Sequence, residues 1–455
     1  MDAGDFSELS AWLGDRLVTD TACLAEHGRD PSHHPAAAPD AVAYPETTQE
    51  IVRIVRWCDG AGVPVIPYGA GTSLEGATHA PVGGLAVDLA RMNGIKEIHG
   101  DDQDAVVEAG VTRLQLTERL AGSGLFFSVD PGADATLGGM ASTGASGSNT
   151  VRYGTIRQNV LALEVVLGDG RVIRTGSRAR KSSAGYDLTH LLLGAEGTLG
   201  IITELTLRLH PVPQAISAAV GSFNSIAAAV KTVIDVVQRA IPVARAELLD
   251  PVALDAVNRY SGLNHPVAPT LFFEFHGSPS SVKEQARQVE AIATANGGAK
   301  FQWSLDESER LRLWQARHDA YHAVRALRPE AHAVSTDICV PLSELTRCIE
   351  STVADIERTS VTAPIVGHVG DGNFHCLVLT DVENRTEMDT VGAFHQRLVE
   401  RALACGGTCT GEHGVGLGKR KFLRREHGEG VTVMRELKRV LDPNGVLNPG
   451  KLFLD

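Results

Sequence analysis

Apolar and polar positions follow two periods along this chain, and the period changes wherever glycine and proline cluster. The short apolar run at 41–45 predicts a strand. Thr47, with Glu50 three residues on, carries a capping-box signature. Ile51, Ile54, Val55 and Cys58 then recur at helical spacing until Gly60 and Gly62. Residues 63–67 return as a strand, so the segment reads as a β-α-β unit, and Pro64 suits an edge or a strand start. Strands are further predicted at 84–88, 95–99 and 105–109, and a helix at 111–121. A hairpin spans 162–174 about Gly168-Asp169-Gly170, and an alternating strand at 203–209 is closed by Pro211 and Pro213. Upstream, 5–30 reads as one short helix, a connector and a charged loop. His33 and His34 follow in a loop-like run and read as a solvated pair.

Beyond 213 the composition turns rich in alanine and valine. Helices at 225–240, 251–260 and 281–295 alternate with strands at 214–223, 270–276 and 301–305. One helix at 308–327 places Arg317, Tyr321 and Arg325 on one face; His318 and His322 form another i, i+4 pair, read as solvated. A strand at 333–340 and a helix from Pro341 follow. The pattern predicts an α+β chain: a first domain over 1–213, a cap over 214–405, and a segment over 406–455 that returns to the first domain.

A length of 455 residues calls for at least two cores. The net charge of −13 argues against nucleic acid as a general partner, while local arginines still allow an anionic substrate. Seven scattered cysteines suit free thiols in a reducing compartment and read as small buried hydrophobes. The start Met1-Asp2-Ala3-Gly4-Asp5 is acidic and unlike a signal peptide. No run reaches ~18 apolar residues, so no transmembrane helix is expected. The expectation is a cytoplasmic protein, with loose membrane attachment left open.

Two stretches are built of small residues. Residues 67–76 hold a G-x-G-x4-G spacing that is neither a dinucleotide fingerprint nor a Walker A loop. Taken alone it fits an anion cradle or a tight turn equally. Residues 131–149 contain almost no bulky side chain and are expected to pack against a partner, for which a buried cofactor fits better than a flexible linker.

Chemistry concentrates near the C-terminal end. His368 and His375 flank Gly370-Asp371-Gly372, and Glu412 with His413 sits between Gly411 and Gly414. The glycines exclude a helix, so the two histidines must meet across a hairpin. His375, Leu377 and Leu379 share a strand face, where a histidine needs a partner. Glu412 completes a two-histidine, one-carboxylate set that leaves coordination positions open. Hydrogen-bonded core histidines remain the alternative. Arg317 suits a substrate carboxylate.

These motifs resemble a known family. Tyr44-Pro45 with the Thr47 helix, the 67–76 loop, the 131–149 stretch and Gly194-Ala195-Glu196-Gly197-Thr198-Leu199-Gly200 resemble the FAD domain of vanillyl-alcohol-oxidase-type flavoproteins. The segments 326–329, 335–341, 367–376 and 408–414 resemble cytochrome-type D-lactate dehydrogenases, whose framework glycolate oxidase catalytic subunits and D-2-hydroxyglutarate dehydrogenases share. The resemblance implies non-covalent FAD in a two-part N-terminal domain. Its cofactor residues would be Pro67, Tyr68, Gly69, Ala70, Gly71, Thr72, Ser73, Pro131, Asp134, Thr136, Gly138, Gly139, Ser142, Gly144, Ala145 and Ser146, with Tyr153, Glu196, Gly197, Gly200, Ile201, Ile202 and Asn448.

It further implies that His368, His375 and Glu412 hold zinc or manganese, that His413 is the base, and that Arg317 pairs with the substrate carboxylate. A D-2-hydroxyacid would chelate the metal, lose its hydroxyl proton to His413 and pass hydride to flavin N5. A cytochrome, a quinone or an electron-transfer flavoprotein would accept the electrons, and a homodimer is compatible with the framework. The hydroxyglutarate branch has asparagine at the position of Leu377 and lysine at that of Ser335, so a shorter or apolar substrate tail is expected here. A metal-independent flavoprotein alcohol oxidase is one alternative. A hydrolytic or metal-binding protein is another, but it leaves the glycine stretches unexplained.

Overall fold

The computed structural model describes residues 6–454, so the acidic start at 1–5 lies outside the described residues. The chain divides into two units. The first comprises residues up to 147, 154–212 and 412 onward; the second comprises 148–153 and 213–411. The returning segment therefore begins at 412, not 406, and the six residues 148–153, which start at the end of the glycine-rich stretch, belong with the second unit.

The first unit is built on two larger sheets, beside a two-stranded pairing of Leu125–Phe126 with His210–Pro211. One has four strands in the order Leu17–Val18, Ala41–Ala43, Leu85–Asp88 and Val65–Tyr68, the last being an edge that tolerates Pro64. The helix Thr48–Ala61 buries Ile51, Ile54, Val55 and Cys58. Thr47 caps it by accepting from Glu50 N at 3.2 Å, but the expected capping box does not close. The Glu50 carboxylate instead accepts from Glu46 N and pairs with Arg16. The second sheet has five antiparallel strands in the order Ile95–His99, Asp104–Glu108, Ile201–Arg208, Val160–Val166 and Val172–Arg174. Residues 5–30 hold more structure than their polarity suggests: a helix Ser7–Leu13, the edge strand Leu17–Val18 and a helix Thr21–His27. His34 is not solvated; its Nε2 lies 3.7 Å from the buried Glu75.

The 131–149 stretch contains a helix, Leu137–Thr143, where none is predicted. Two consecutive glycines disfavour helix locally. Close packing decides otherwise: Gly138 N–H bonds Ala109 O at 2.9 Å, and a Cβ at Gly138 would meet Ala109 Cβ at 2.6 Å.

The second unit is organised by one antiparallel sheet. Its strand order is Gly298–Ser304, Ala215–Phe223, Thr270–Gly277, Val243–Leu249, Ile365–His368, Asn373–Thr380 and His332–Ser335. The helices Pro251–Ser261 and Glu307–Ala326 bury Leu254, Val257, Leu313 and Trp314 in one core with Phe272, Leu377 and Leu379. The strand Val243–Leu249 is missed by the apolar pattern because Arg245 and Glu247 interrupt it, yet Glu247 is only 1% exposed. The strand predicted at 333–340 breaks into His332–Ser335 and Ile338–Cys339, freeing Thr336 and Asp337 for other work. His318 is exposed, in line with the solvated reading, and its ring also stacks on Trp314.

Candidate active site

In the second unit the two histidines meet as the hairpin argument requires. The register pairs His368 with Asn373 and Val366 with His375, so both rings rise on one face of the sheet. Their centroids are 5.4 Å apart at 83°. Each ring is oriented through Nδ1: His368 with Glu247 Oε1 at 2.7 Å, His375 with Thr336 O at 2.9 Å. A carboxylate or carbonyl on one ring nitrogen orients the other, Nε2, as a cation ligand.

Glu247 holds more than His368. Its other oxygen accepts from Arg317 Nε and Nη2, both at 2.8 Å. Burial alone would push this carboxyl up, but His368 and Arg317 outweigh burial and hold it below its ordinary range. The helix Glu307–Ala326 thus delivers Arg317 to the same carboxylate as His368, while Tyr321 and Arg325 stay exposed. Asp337, fully buried, accepts from Gly411 N at 2.7 Å and from Thr410 Oγ1 and Asn373 Nδ2 at 2.8 Å. It fixes the last residue of this unit, directly before Glu412. Glu247 and Asp337 were not singled out from sequence, and no local signal marks either: Glu247 shares its strand with Arg245, and Asp337 falls between two strands.

In the first unit the glycine segments converge. A Cβ on Gly69 would meet Thr136 Oγ1 at 2.3 Å, and one on Gly197 would meet Pro67 at 2.8 Å. Gly194 N and Glu196 N bond Ala141 O and Ser142 O at 2.9 and 2.8 Å. Gly69, Gly71, Thr72, Ser73, Gly139, Ser142, Gly144 and Ser146 remain half-exposed, Ala70 is exposed, and Ala135, Leu137, Gly138, Met140 and Ala145 beside them are buried. A strip of small residues, open on one side and close-packed behind, fits an extended ligand such as FAD.

Several expected cofactor residues make contacts that hold the strip together. Thr136 caps the Leu137–Thr143 helix, and Asp134 accepts from Leu114 N at 2.8 Å. Asn448, at φ 41°, donates to Ala77 O and Glu196 O at 3.0 and 2.7 Å. Gly200, Ile201 and Ile202 are buried at the start of the strand Ile201–Arg208. Pro131 is half-buried, and Pro67 and Tyr68 close the strand Val65–Tyr68. Tyr153 lies in the second unit, its hydroxyl 2.7 Å from His276 Nδ1.

Glu196 is the clamp of the returning segment. At φ 51° and 5% exposed, it accepts from Val415 N at 2.6 Å and Gly416 N at 2.8 Å. Burial raises its carboxyl to about 7 despite those two bonds. Just before them in the chain, Glu412 accepts from Ser146 Oγ at 2.5 Å, and His413 Nε2 stands 4.0 Å from Glu412 Oε1. Ser146 therefore touches the expected metal carboxylate.

Cofactor-sized glycine loops on one unit and a histidine-bearing antiparallel sheet on the other define a two-domain flavoprotein of α+β class. The 4-ethylphenol oxidase from Gulosibacter chungangensis shares this fold at TM-score 0.81 and 20% identity, with 98% of this chain and 96% of that one covered. p-Cresol methylhydroxylase does so at 0.77 and 18%, covering 99% and 96%. The family model for the C-terminal domain of FAD-linked oxidases matches residues 212–452, and that for an FAD binding domain matches 39–176. The chain belongs to the FAD-linked oxidase family and is an FAD-linked oxidoreductase.

Among its relatives, the probable mitochondrial D-lactate dehydrogenase of Danio rerio is 50% identical over 452 residues, 98% of this chain and 91% of that one. The mitochondrial D-lactate dehydrogenase (cytochrome) of Arabidopsis thaliana is 42% identical, covering 98% and 79%. The glycolate oxidase subunit GlcD of Bacillus subtilis is 36% identical, covering 91% and 89%. The expectation of a cytoplasmic protein is overturned here: the D-lactate dehydrogenases of Danio, Arabidopsis and two yeasts are all mitochondrial by name. Among the described residues no helix is long and apolar enough to cross a membrane.

Proposed function

We propose that this protein oxidises a short-tailed D-2-hydroxyacid, with D-lactate as the reference substrate, to the 2-oxoacid. The observation that carries the reading is the Arg317–Glu247–His368 arrangement beside His375, which sets a carboxylate-binding cation next to two imidazoles aimed by their Nδ1 partners. FAD bound along the 67–76 and 137–146 strip would supply the two-electron acceptor, and zinc or manganese held by His368, His375 and Glu412 would supply Lewis acidity.

The remaining work falls to the chain. Arg317 holds the substrate carboxylate through the side of its guanidinium turned away from Glu247, which fixes one face of C2. Orientation of this kind contributes several kcal/mol. Glu247 keeps Arg317 and His368 in register with each other. His413 takes the substrate hydroxyl proton on a ring nitrogen. Glu196 and Asp337 pin the backbone on either side of Glu412 and His413, so that neither residue depends on a mobile loop.

The sheet bears on the length of the substrate tail. Ser335 and Leu377 are direct cross-strand partners, and Leu377 shares a strand face with His375 two residues away. A serine and a leucine there offer no cation or amide for a second carboxylate, which favours lactate or glycolate over a dicarboxylate. The names of the relatives agree. A cytochrome is the favoured acceptor, on the printed name of the Arabidopsis relative.

A dye-coupled assay with D-lactate, L-lactate, glycolate and D-2-hydroxyglutarate tests the reading. D-lactate should give the highest kcat/KM. A clear preference for D-2-hydroxyglutarate would overturn the tail argument, and a preference for L-lactate would overturn the stereochemistry.

A further inference from the structure

The helix Thr48–Ala61 has two faces, and only one serves the core. Ile51, Ile54, Val55 and Cys58 are buried in the core of the first unit. The opposite face carries Val52, Arg53, Arg56 and Trp57, an apolar and cationic mixture that the proposed chemistry does not use. This face forms one wall of a cleft of about 840 Å³ within the first unit, which shares no residue with the glycine strip. Clefts of this size hold small ligands. The helix Ser7–Leu13 supplies a second wall through Glu8 and Trp12, and the turn and edge strand at 170–173 supply a third. Two of the chain's four tryptophans therefore line one cleft.

The charges suit an anion. Arg171 is taken by Asp169 at 2.6 Å. Arg53 and Arg56 are exposed and have no carboxylate within ion-pair distance among the described residues. Both are held in place all the same. The Arg53 guanidinium carbon lies 4.2 Å from the centroid of the Trp12 ring, and Arg56 Nη2 donates to Gly170 O at 3.4 Å. A Cβ on Gly170, itself at φ 76°, would meet Arg56 Cγ at 2.5 Å, so the bare glycine seats that side chain. Two guanidinium forks three residues apart on a helix share a face and match the several oxygens of a phosphate. Indole faces suit a planar ring. Trp12 also leaves its indole N–H buried with no hydrogen-bond partner among the described residues, a donor unsatisfied in the wall of the cleft. Glu8, exposed at the cleft, disfavours a bare aryl anion but accepts from a ligand that carries hydroxyl or amino donors.

We propose that this cleft binds a purine nucleotide, apart from the flavin and the oxidised substrate. The purine lies against the indoles of Trp12 and Trp57, the phosphates take Arg53 and Arg56, and a sugar hydroxyl donates to Glu8. Ring, sugar and phosphate each meet a group already present, which no single smaller ligand does. A nucleotide seated there joins the helix Ser7–Leu13 to the helix Thr48–Ala61 and the edge strand Val172–Arg174, so its binding stabilises the folded first unit by mass action.

The test titrates ADP into the flavin-loaded full chain by calorimetry, with adenosine and inorganic phosphate as the two half-ligands. ADP should bind saturably, and each half-ligand at least roughly tenfold more weakly. Hydrogen exchange of the ADP complex should slow at 49–57 and 170–173. Arg53→Ala and Arg56→Ala change exposed positions, and each should weaken ADP by roughly tenfold with flavin content unchanged. The absence of saturable ADP binding overturns the proposal, as does protection confined to other segments or unchanged affinity in the double variant. Phosphate that binds as tightly as ADP removes the ring from the account, and adenosine that does so removes the arginines; either overturns the nucleotide reading. The exchange map of the wild-type chain decides the location even if a variant fails to fold.

Discussion

Glu247 shows what a single residue contributes and why a sequence hides it. Its partners, His368 and Arg317, stand 121 and 70 positions away, and nothing local distinguishes it from a strand acid facing solvent. The same holds for Asp337, 74 positions from Gly411, and for Glu196, 219 positions from Val415. The histidines and the Glu412-His413 pair were legible because glycines frame them, and glycine excludes the helical alternative. Two predictions belong at this scale. Glu247→Gln leaves His368 without its carboxylate and should weaken divalent-cation binding by about 10–100-fold, read by calorimetry on the metal-free protein. Unchanged affinity would remove Glu247 from the arrangement. His413→Ala should lower turnover by about 10²–10⁴-fold with flavin content and Tm unchanged. Near-normal turnover would assign the base to another group.

Elements explain where local propensity failed. The helix Leu137–Thr143 forms against the preference of its glycines because backbone contact with Ala109 admits no side chain at position 138. Gly138→Ala should therefore lower stability by roughly 1–3 kcal/mol and loosen flavin, measured as Tm and flavin release. A variant as stable as wild type would show that the close approach is not needed. The clamp at Glu196 carries a pH signature. Its carboxyl rises from 4.5 to about 7 on folding, so between those values the folded chain holds a proton that the unfolded chain has lost. Its contribution to stability is then fullest below 4.5 and declines through about 7, at about 1 kcal/mol per pH unit. Compared with Glu196→Gln, the wild type should lose Tm as pH rises through that window and run parallel above it. Parallel behaviour throughout would mean that Glu196 stays ionised. The β-α alternation was read correctly because it repeats one period over many residues, and the hairpin at 363–380 because its central glycines exclude a helix; the strand Val243–Leu249 was not, because Arg245 and Glu247 broke the pattern.

At the scale of the molecule, length and alternation were enough to anticipate an α+β chain of more than one core, and the resemblance of its motifs to a known family supplied the flavin. They could not place the break at 411/412, which depends on which long-range anchors hold each side. Cellular compartment was not legible at all, since charge and hydropathy do not encode it, and the relatives corrected it. The proposed function assigns flavin to the glycine strip of the first unit and the substrate to Arg317 and the histidines of the second. Anaerobic rapid mixing of the flavin-loaded, metal-replete protein with single 2-hydroxyacids tests it most directly. D-lactate should bleach the flavin absorbance fully, L-lactate should leave it unchanged, and D-2-hydroxyglutarate should act far more slowly. A flavin that stays oxidised with every D-2-hydroxyacid, or that bleaches with L-lactate instead, would contradict the account.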